Sequence, residues 1–243
     1  MGTMVSIDVR PGSVPRQEVF LALAAAKRVL HQVDAVFSTW KKDSPLSRLR
    51  RGEVELAETP PDVAEVLERC NEAKRLSAGW FDPWAMPGGV DPTGLVKGWA
   101  ADRALQVIAA TGVQGVMVGA GGDVVFRGEP EPGRPWRIGV QNPFDRGSIV
   151  AVVEAPGAVA TSGTYERGDH VLDPHTGRPA TAAASATVTG TELDVTDALA
   201  TGLLACGPPG LSHFEQLAGY EAMVISPDGS RTSTARFPFA TAS

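Results

Sequence analysis

The order of helical and strand patterns is what most restricts the fold of this chain. A strand is predicted at residues 3–10, and apolar side chains then recur at helical spacing over residues 15–37. A second helix is predicted to open at Thr59, and a third to run from Lys97 to Thr111. Consecutive strands follow at GVMVG, DVVFRG, WRIGVQ, SIVAVVEA, AVATSG and SATVTG. Because parallel α/β folds need a helix between successive strands, this order predicts an α+β fold.

The rest of the chain adds a helix, a second and short helix after it, and a hairpin. A helix is predicted from about Thr196 to Cys206, where Gly207 and two prolines end it. The last strands form a hairpin with Asp228-Gly229 at its turn. With 243 residues, 43% of them hydrophobic, we expect a single domain over residues 1–243; two closely packed lobes remain an alternative.

Charge and apolar patterning restrict the partners of the protein. The net charge is −6 and the pI is about 5.3, which argues against binding to nucleic acid. The N-terminal MGTMVSIDVR has neither a basic region nor an apolar core, so we expect a cytoplasmic protein; export with processing further upstream stays open. The apolar run FLALAAA is too short to cross a bilayer, so no membrane insertion is expected.

The segment DPTGLVKGWAAD is the first candidate site. It lacks the Gly-Lys-Ser/Thr of a Walker loop and the spacing of a dinucleotide fingerprint. Asp91, Gly94 and Lys97 would nevertheless stand at the mouth of a helix, where free amides, a glycine and a lysine can hold a phosphate. An ordinary helix start with Asp91 as a turn residue is the more common meaning of such a segment.

Two further segments carry candidate chemistry. Asp197 and Thr201, four residues apart in DVTDALATG, share one helix face and offer hard oxygen ligands for Mg²⁺. Asp197 could instead only offset the positive helix end. In TSGTYERGDHVLDPHTGRP, His170 is a candidate general base, and a solvent-facing loop is the alternative. GAGGD, ending at Asp123, is interpreted only as a tight bend between strands.

These segments, read in order, resemble one protein family. The matching blocks are MGT, FSTWKKDSPLSRL, GWFDP, DPTGLVKGWAAD, GAGGD, WRIGVQNP, ATSGTYER, DHVLDPHTGRP and ATVTGTELDVTDALATGLLACG. They are similar to the ApbE family, the FAD:protein FMN transferases. The resemblance implies an ApbE-like α+β architecture, related to the T-fold, with mostly antiparallel sheets flanked by helices.

The resemblance also implies roles for individual residues. The Gly94 carbonyl, Asp197 and Thr201 match the family's metal ligands, and Lys97 would lie against FAD as part of the catalytic machinery. His170 is similar to the histidine thought to deprotonate the acceptor threonine. The positions that match flavin contacts are Met1, Trp40, Trp80, Phe81, Asp82, Asp91, Lys97, His170 and Leu172.

The implied reaction uses FAD as substrate and Mg²⁺ as cofactor. FMN would be transferred to a threonine hydroxyl of a target protein, and AMP would be released. An FAD pyrophosphatase with the same site and a flavin-binding protein without catalysis are the alternatives. Two departures from the family pattern stand out: only WAMPGGV separates the FDP and DPTGLVKG blocks, and Ala200 stands where some relatives carry a second acidic ligand.

Overall fold

The structure is a computed structural model that describes residues 3–164 and 171–241. The helices are α1 (Arg16–Phe37), α2 (Pro45–Arg50), α3 (Pro61–Leu76), α4 (Thr93–Ala109), α5 (Leu193–Cys206) and α6 (Leu211–Phe214). The strands are β1 (Val5–Arg10), β2 (Gly115–Ala120), β3 (Asp123–Gly128), β4 (Ile138–Asn142), β5 (Asp145–Val153), β6 (Ala158–Gly163), β7 (Ser185–Gly190), β8 (Glu221–Ile225) and β9 (Arg231–Ser233).

Seven of these strands form one antiparallel sheet. Their order is β1-β2-β3-β6-β7-β8-β9, and β4 and β5 pair separately as a hairpin. The hairpin is inserted between β3 and β6, which are neighbours in the large sheet. Each connection within the sheet therefore joins antiparallel strands, and the predicted α+β fold is confirmed.

The sheet separates two apolar layers. On one face, α1, α4 and α5 pack on alternate strand residues such as Val118, Val125 and Val188. On the other face, the β4–β5 hairpin packs on Phe126 and Met223. A further cluster joins α3 to the ends of α1 and α4. Polar groups that point to the helical face therefore lie between the sheet and α4 or α5.

Three predicted helix starts were wrong. The second helix begins at Pro61 rather than Thr59, whose hydroxyl instead donates to the Leu56 carbonyl in the preceding 3₁₀ turn. α4 begins at Thr93, one turn before Lys97, because the Asp91 carboxylate accepts the Thr93 amide. α5 begins at Leu193 rather than near Thr196.

Close approach of two helices explains one glycine. α4 and α5 run in opposite directions, and a Cβ built on Gly98 would lie 2.5 Å from the Leu193 carbonyl oxygen and 2.7 Å from the Asp194 Cα. Real Cβ atoms do not come so close to backbone, so a side chain at this position would push the helices apart. Gly98 is thus what lets α5 lie against α4.

We predict that Gly98→Ala destabilises the protein by about 2 kcal/mol, because overpacking outweighs the better helix propensity of alanine. Urea unfolding measures the loss. Gly147→Ala is the control, since its Cβ would meet only the Asp145 carboxylate at 3.4 Å. A Gly98→Ala protein as stable as the wild type would contradict this packing.

Candidate active site

Facing turns of α4 and α5 bring four of the predicted residues together. Lys97 Nζ lies 3.6 Å from Asp197 Oδ1. One turn away, a Cβ built on Gly94 would be 3.8 Å from Thr201 Oγ1. Because the helices are antiparallel, Gly94 faces Thr201 and Lys97 faces Asp197. The predicted spacing of Asp197 and Thr201 on α5 is thus matched by the spacing of Gly94 and Lys97 on α4.

The sheet supplies a third wall. Asp123, the first residue of β3, forms an ion pair with Lys97 through Oδ2, and its Oδ1 accepts the Thr161 amide at 2.7 Å. Ser162 on β6 places its hydroxyl 3.2 Å from that of Thr201. The sequence indicated only a bend at Asp123, and these contacts were not predicted. A signal was present, since strand alternation puts Asp123 on the same face as the buried Val125.

Burial governs the electrostatics of this site. Asp123 is 1% exposed and Asp197 is 3% exposed. Burial raises the pKa of the Asp123 carboxyl, and the Lys97 ammonium and the Thr161 amide oppose this shift. Buried carboxylates of this kind favour the binding of a cation, because a buried charge is stabilised by an opposite charge.

The donor set fits a hard divalent cation. The Asp197 carboxylate, the Thr201 hydroxyl and the Gly94 carbonyl are oxygen donors of the kind that Mg²⁺ prefers. In the described part of the chain, no group of three or more His, Cys, Asp or Glu side chains could hold a metal ion. A magnesium site here would therefore depend on hydroxyl and carbonyl oxygens as well as on Asp197. Ala200 is fully buried and adds no donor.

Long-range hydrogen bonds fix the start of α5. The Asp102 carboxylate on α4 accepts the amides of Leu193 at 2.9 Å and Asp194 at 3.0 Å. Arg69 on α3 donates to both carboxylate oxygens of Asp194, at 2.6 and 2.8 Å, and to Glu192. α5 therefore receives its N-terminal cap from another helix, and this cap orients Asp197 and Thr201.

The short segment before α4 is held by α2. Arg50 donates to Asp91 Oδ2 at 3.2 Å and to the Pro87 carbonyl at 3.1 Å. A Cβ built on Gly89 would lie 3.3 Å from the Arg50 carbonyl oxygen. The Asp91 carboxylate thus binds both Arg50 and the Thr93 amide, which anchors residues 87–91 to the protein.

The predicted Trp80-Phe81-Asp82 block lies next to this segment. Phe81 is buried, and its ring is 3.1 Å from a Cβ built on Gly94. Asp82 accepts the Trp84 amide and pairs with Lys74 at 2.7 Å. Trp80 stands edge-on to the His175 ring and lines an apolar cavity of about 160 Å³ between α3 and α5. Phe81 therefore contacts the site, whereas Asp82 is engaged in local structure.

Of the other predicted flavin contacts, Trp40 and Leu172 are described by the structure, and Met1 and His170 are not. Trp40 lies between α1 and α2 with 90% of its surface exposed. Leu172 forms an isolated bridge with Pro179. Met1 and His170 lie outside the described residues, so their roles stay predictions.

Sequence comparison identifies the family. The sequence model of the ApbE family matches residues 1–88 and 86–224. The chain belongs to the ApbE family, and the resemblance found in the motifs is confirmed.

Curated relatives carry one common name. The chain is 29% identical to an FAD:protein FMN transferase of Vibrio cholerae over 242 residues, covering 74% of this chain and 72% of the relative. It is 33% identical to the Klebsiella pneumoniae enzyme of that name over 151 residues, which covers 58% of this chain and 43% of the relative. The match to the Rhodobacter capsulatus enzyme of that name, at 34% identity, covers 29% of the relative.

Solved structures confirm the fold. Flavin transferase ApbE from Vibrio cholerae superimposes with a TM-score of 0.81 at 24% identity, covering 98% of this chain and 95% of that one. The ApbE protein of Thermotoga maritima gives 0.82 at 23% identity, with 97% and 94% covered. Within the described ranges, no helix combines the length and the apolar character needed to cross a bilayer.

We predict that Arg50→Ala speeds chymotrypsin cleavage after Trp84 at least about tenfold, because charge-assisted hydrogen bonds that hold the segment are lost. Timed digestion under native conditions measures the rate. Arg48→Ala on the same helix is the control. Within the described residues, the one ion pair of Arg48 is with Glu53, at 3.8 Å. Equal cleavage of both variants would contradict the anchoring role of Arg50.

The buried Asp102 carboxyl should make the stability of the protein depend on pH. Burial raises the pKa of Asp102 from 3.8 to about 7, against the opposing effect of the Leu193 and Asp194 amides. The folded protein then binds this proton more tightly than the unfolded chain, so the free energy of unfolding falls as pH rises between these two values. Asp102→Asn should flatten this fall in urea unfolding at a series of pH values.

The control for this measurement is Asp228→Asn, which removes an exposed carboxyl. Hydrogen bonds from Ser230 lower the pKa of this carboxyl. Its removal should leave the slope in this window unchanged. If Asp102→Asn keeps the wild-type slope, Asp102 does not titrate there.

Proposed function

We propose that this protein transfers FMN from FAD to a threonine hydroxyl of a target protein in a Mg²⁺-dependent reaction that releases AMP. The observation that carries the proposal is the meeting of Gly94, Lys97, Asp197 and Thr201 across α4 and α5. Family membership and the name FAD:protein FMN transferase shared by the relatives support it.

The pyrophosphate of FAD would lie between α4 and α5. The Asp197 carboxylate, the Thr201 hydroxyl and the Gly94 carbonyl would hold Mg²⁺. When bound, this ion would neutralise charge on the two phosphates. The Lys97 ammonium would add a fixed positive charge beside the leaving AMP. The buried Phe81 ring forms an apolar wall against Gly94.

The proposed transfer forms one bond and breaks one bond. The threonine oxygen of the target attacks the FMN phosphorus, and the bond from this phosphorus to the oxygen of AMP breaks. The hydroxyl proton passes to a general base, for which His170 is the proposed residue. Phosphoester-linked FMN and free AMP are the products.

The test is incubation with FAD and Mg²⁺, with and without a target protein that carries a flavinylation threonine. Chromatography follows AMP, and in-gel fluorescence follows flavin on the target. AMP together with a fluorescent target is the expected result. AMP and free FMN without labelling would favour an FAD pyrophosphatase, and flavin binding without AMP would favour a non-catalytic flavin-binding protein.

Asp197→Asn tests the metal ligand. It removes the carboxylate charge with little change of volume, and we expect the Mg²⁺-dependent rate of AMP release to fall at least about 100-fold. Asp145→Asn, in an exposed position on β5, is the matched control and should keep the wild-type rate. Wild-type turnover by Asp197→Asn would remove Asp197 from the metal site.

A further inference from the structure

Asp123 is a buried charge whose contacts point into the proposed site. It follows the Gly121-Gly122 turn, is 1% exposed and binds two groups from different elements. One is the Lys97 ammonium from α4, and the other is the Thr161 amide from β6, at 2.7 Å from Oδ1. A carboxylate that is buried between the sheet and the helices needs such partners, because its desolvation is unfavourable.

The contacts of Asp123 restrict the side chain of Lys97. A lysine side chain is long and flexible, so its ammonium occupies one place only where other groups fix it. The stem of Lys97 passes beside the β2–β3 turn, where a Cβ built on Gly121 would lie 3.7 Å from Lys97 Cδ. The ammonium contacts Asp123 directly and remains 3.6 Å from Asp197 Oδ1.

We propose that Asp123 is a positioning residue for FMN transfer: it serves as the counter-ion that holds the Lys97 ammonium where the pyrophosphate of FAD binds. This inference rests on the proposed function. The ammonium also lies 3.6 Å from Asp197 Oδ1, so the Asp123 and Asp197 carboxylates together fix it between the sheet and α5. The sheet, through β3, thereby sets the position of a charge carried by α4.

A double-mutant cycle separates this role from a general effect on folding. The four proteins are the wild type, Asp123→Asn, Lys97→Met and the double variant. Asparagine keeps an oxygen for the Thr161 amide and removes the charge that holds Lys97. FAD affinity is measured by flavin fluorescence with a chelator present, and kcat and KM are measured with Mg²⁺ and a threonine-bearing target.

We expect Asp123→Asn to lower kcat/KM and FAD affinity about 10- to 100-fold, as is usual for residues that orient a binding group. In the Lys97→Met background, the same change should cost less than about twofold, because its effect passes through Lys97. An equal loss in both backgrounds, or no loss in either, would overturn the inference. Asp8→Asn, an exposed aspartate on β1, is the control.

A conservative variant covers the case in which Asp123→Asn folds poorly. Asp123→Glu keeps the negative charge, and at equal thermal stability we expect it to retain more FAD affinity than Asp123→Asn; the reverse order would contradict the role. A wild type that neither binds FAD nor releases AMP would overturn the proposed function itself. If the wild type is active but Asp123→Asn costs the same in the wild-type and Lys97→Met backgrounds, only the role of Asp123 is overturned.

Discussion

The close antiparallel contact between α4 and α5 is the constraint on which the rest of the site depends. It requires Gly98, because any Cβ there would meet the backbone of α5. It is fixed by Asp102, whose carboxylate accepts the first amides of α5. Since Gly94 and Lys97 lie on one helix and Asp197 and Thr201 on the other, a shift of a single turn would separate the two halves of the site.

Residues of the sheet and residues of the helices together position the charged and polar groups of the site. Strand alternation directs Asp123 and Ser162 toward the helices, while Thr161 on the opposite face bonds to Thr187. This division places oxygen donors and one ammonium in a buried position between two layers. Interactions among charges are stronger there than in water, which suits the proposed binding of two adjacent phosphates.

Local patterns in the sequence were sufficient for most of the fold. Strand alternation and helical periodicity gave the main elements, and the GAGGD bend and the Asp228-Gly229 turn lie between paired strands as predicted. Helix starts were the weakest point, because α5 is capped by a residue 91 positions away rather than by its neighbours. Capping rules consider only residues next to the helix start, so they do not predict such a partner.

The site was predicted unevenly for the same reason. Asp197 and Thr201 share a helix face, so their spacing was visible in the sequence. Asp123 and Arg50 act through partners that are 26 and 41 residues away, and no local pattern reports those contacts. The roles proposed for Gly94 and Lys97 come from the resemblance to the ApbE family, and the fold places these residues opposite Thr201 and Asp197.

The most direct test of the account is anomalous diffraction from crystals grown with FAD and Mn²⁺ in place of Mg²⁺. The account predicts a manganese peak within bonding distance of the Asp197 carboxylate, the Thr201 hydroxyl and the Gly94 carbonyl, with the FAD pyrophosphate against Lys97. A manganese peak elsewhere, with FAD bound away from the contact between α4 and α5, would contradict it.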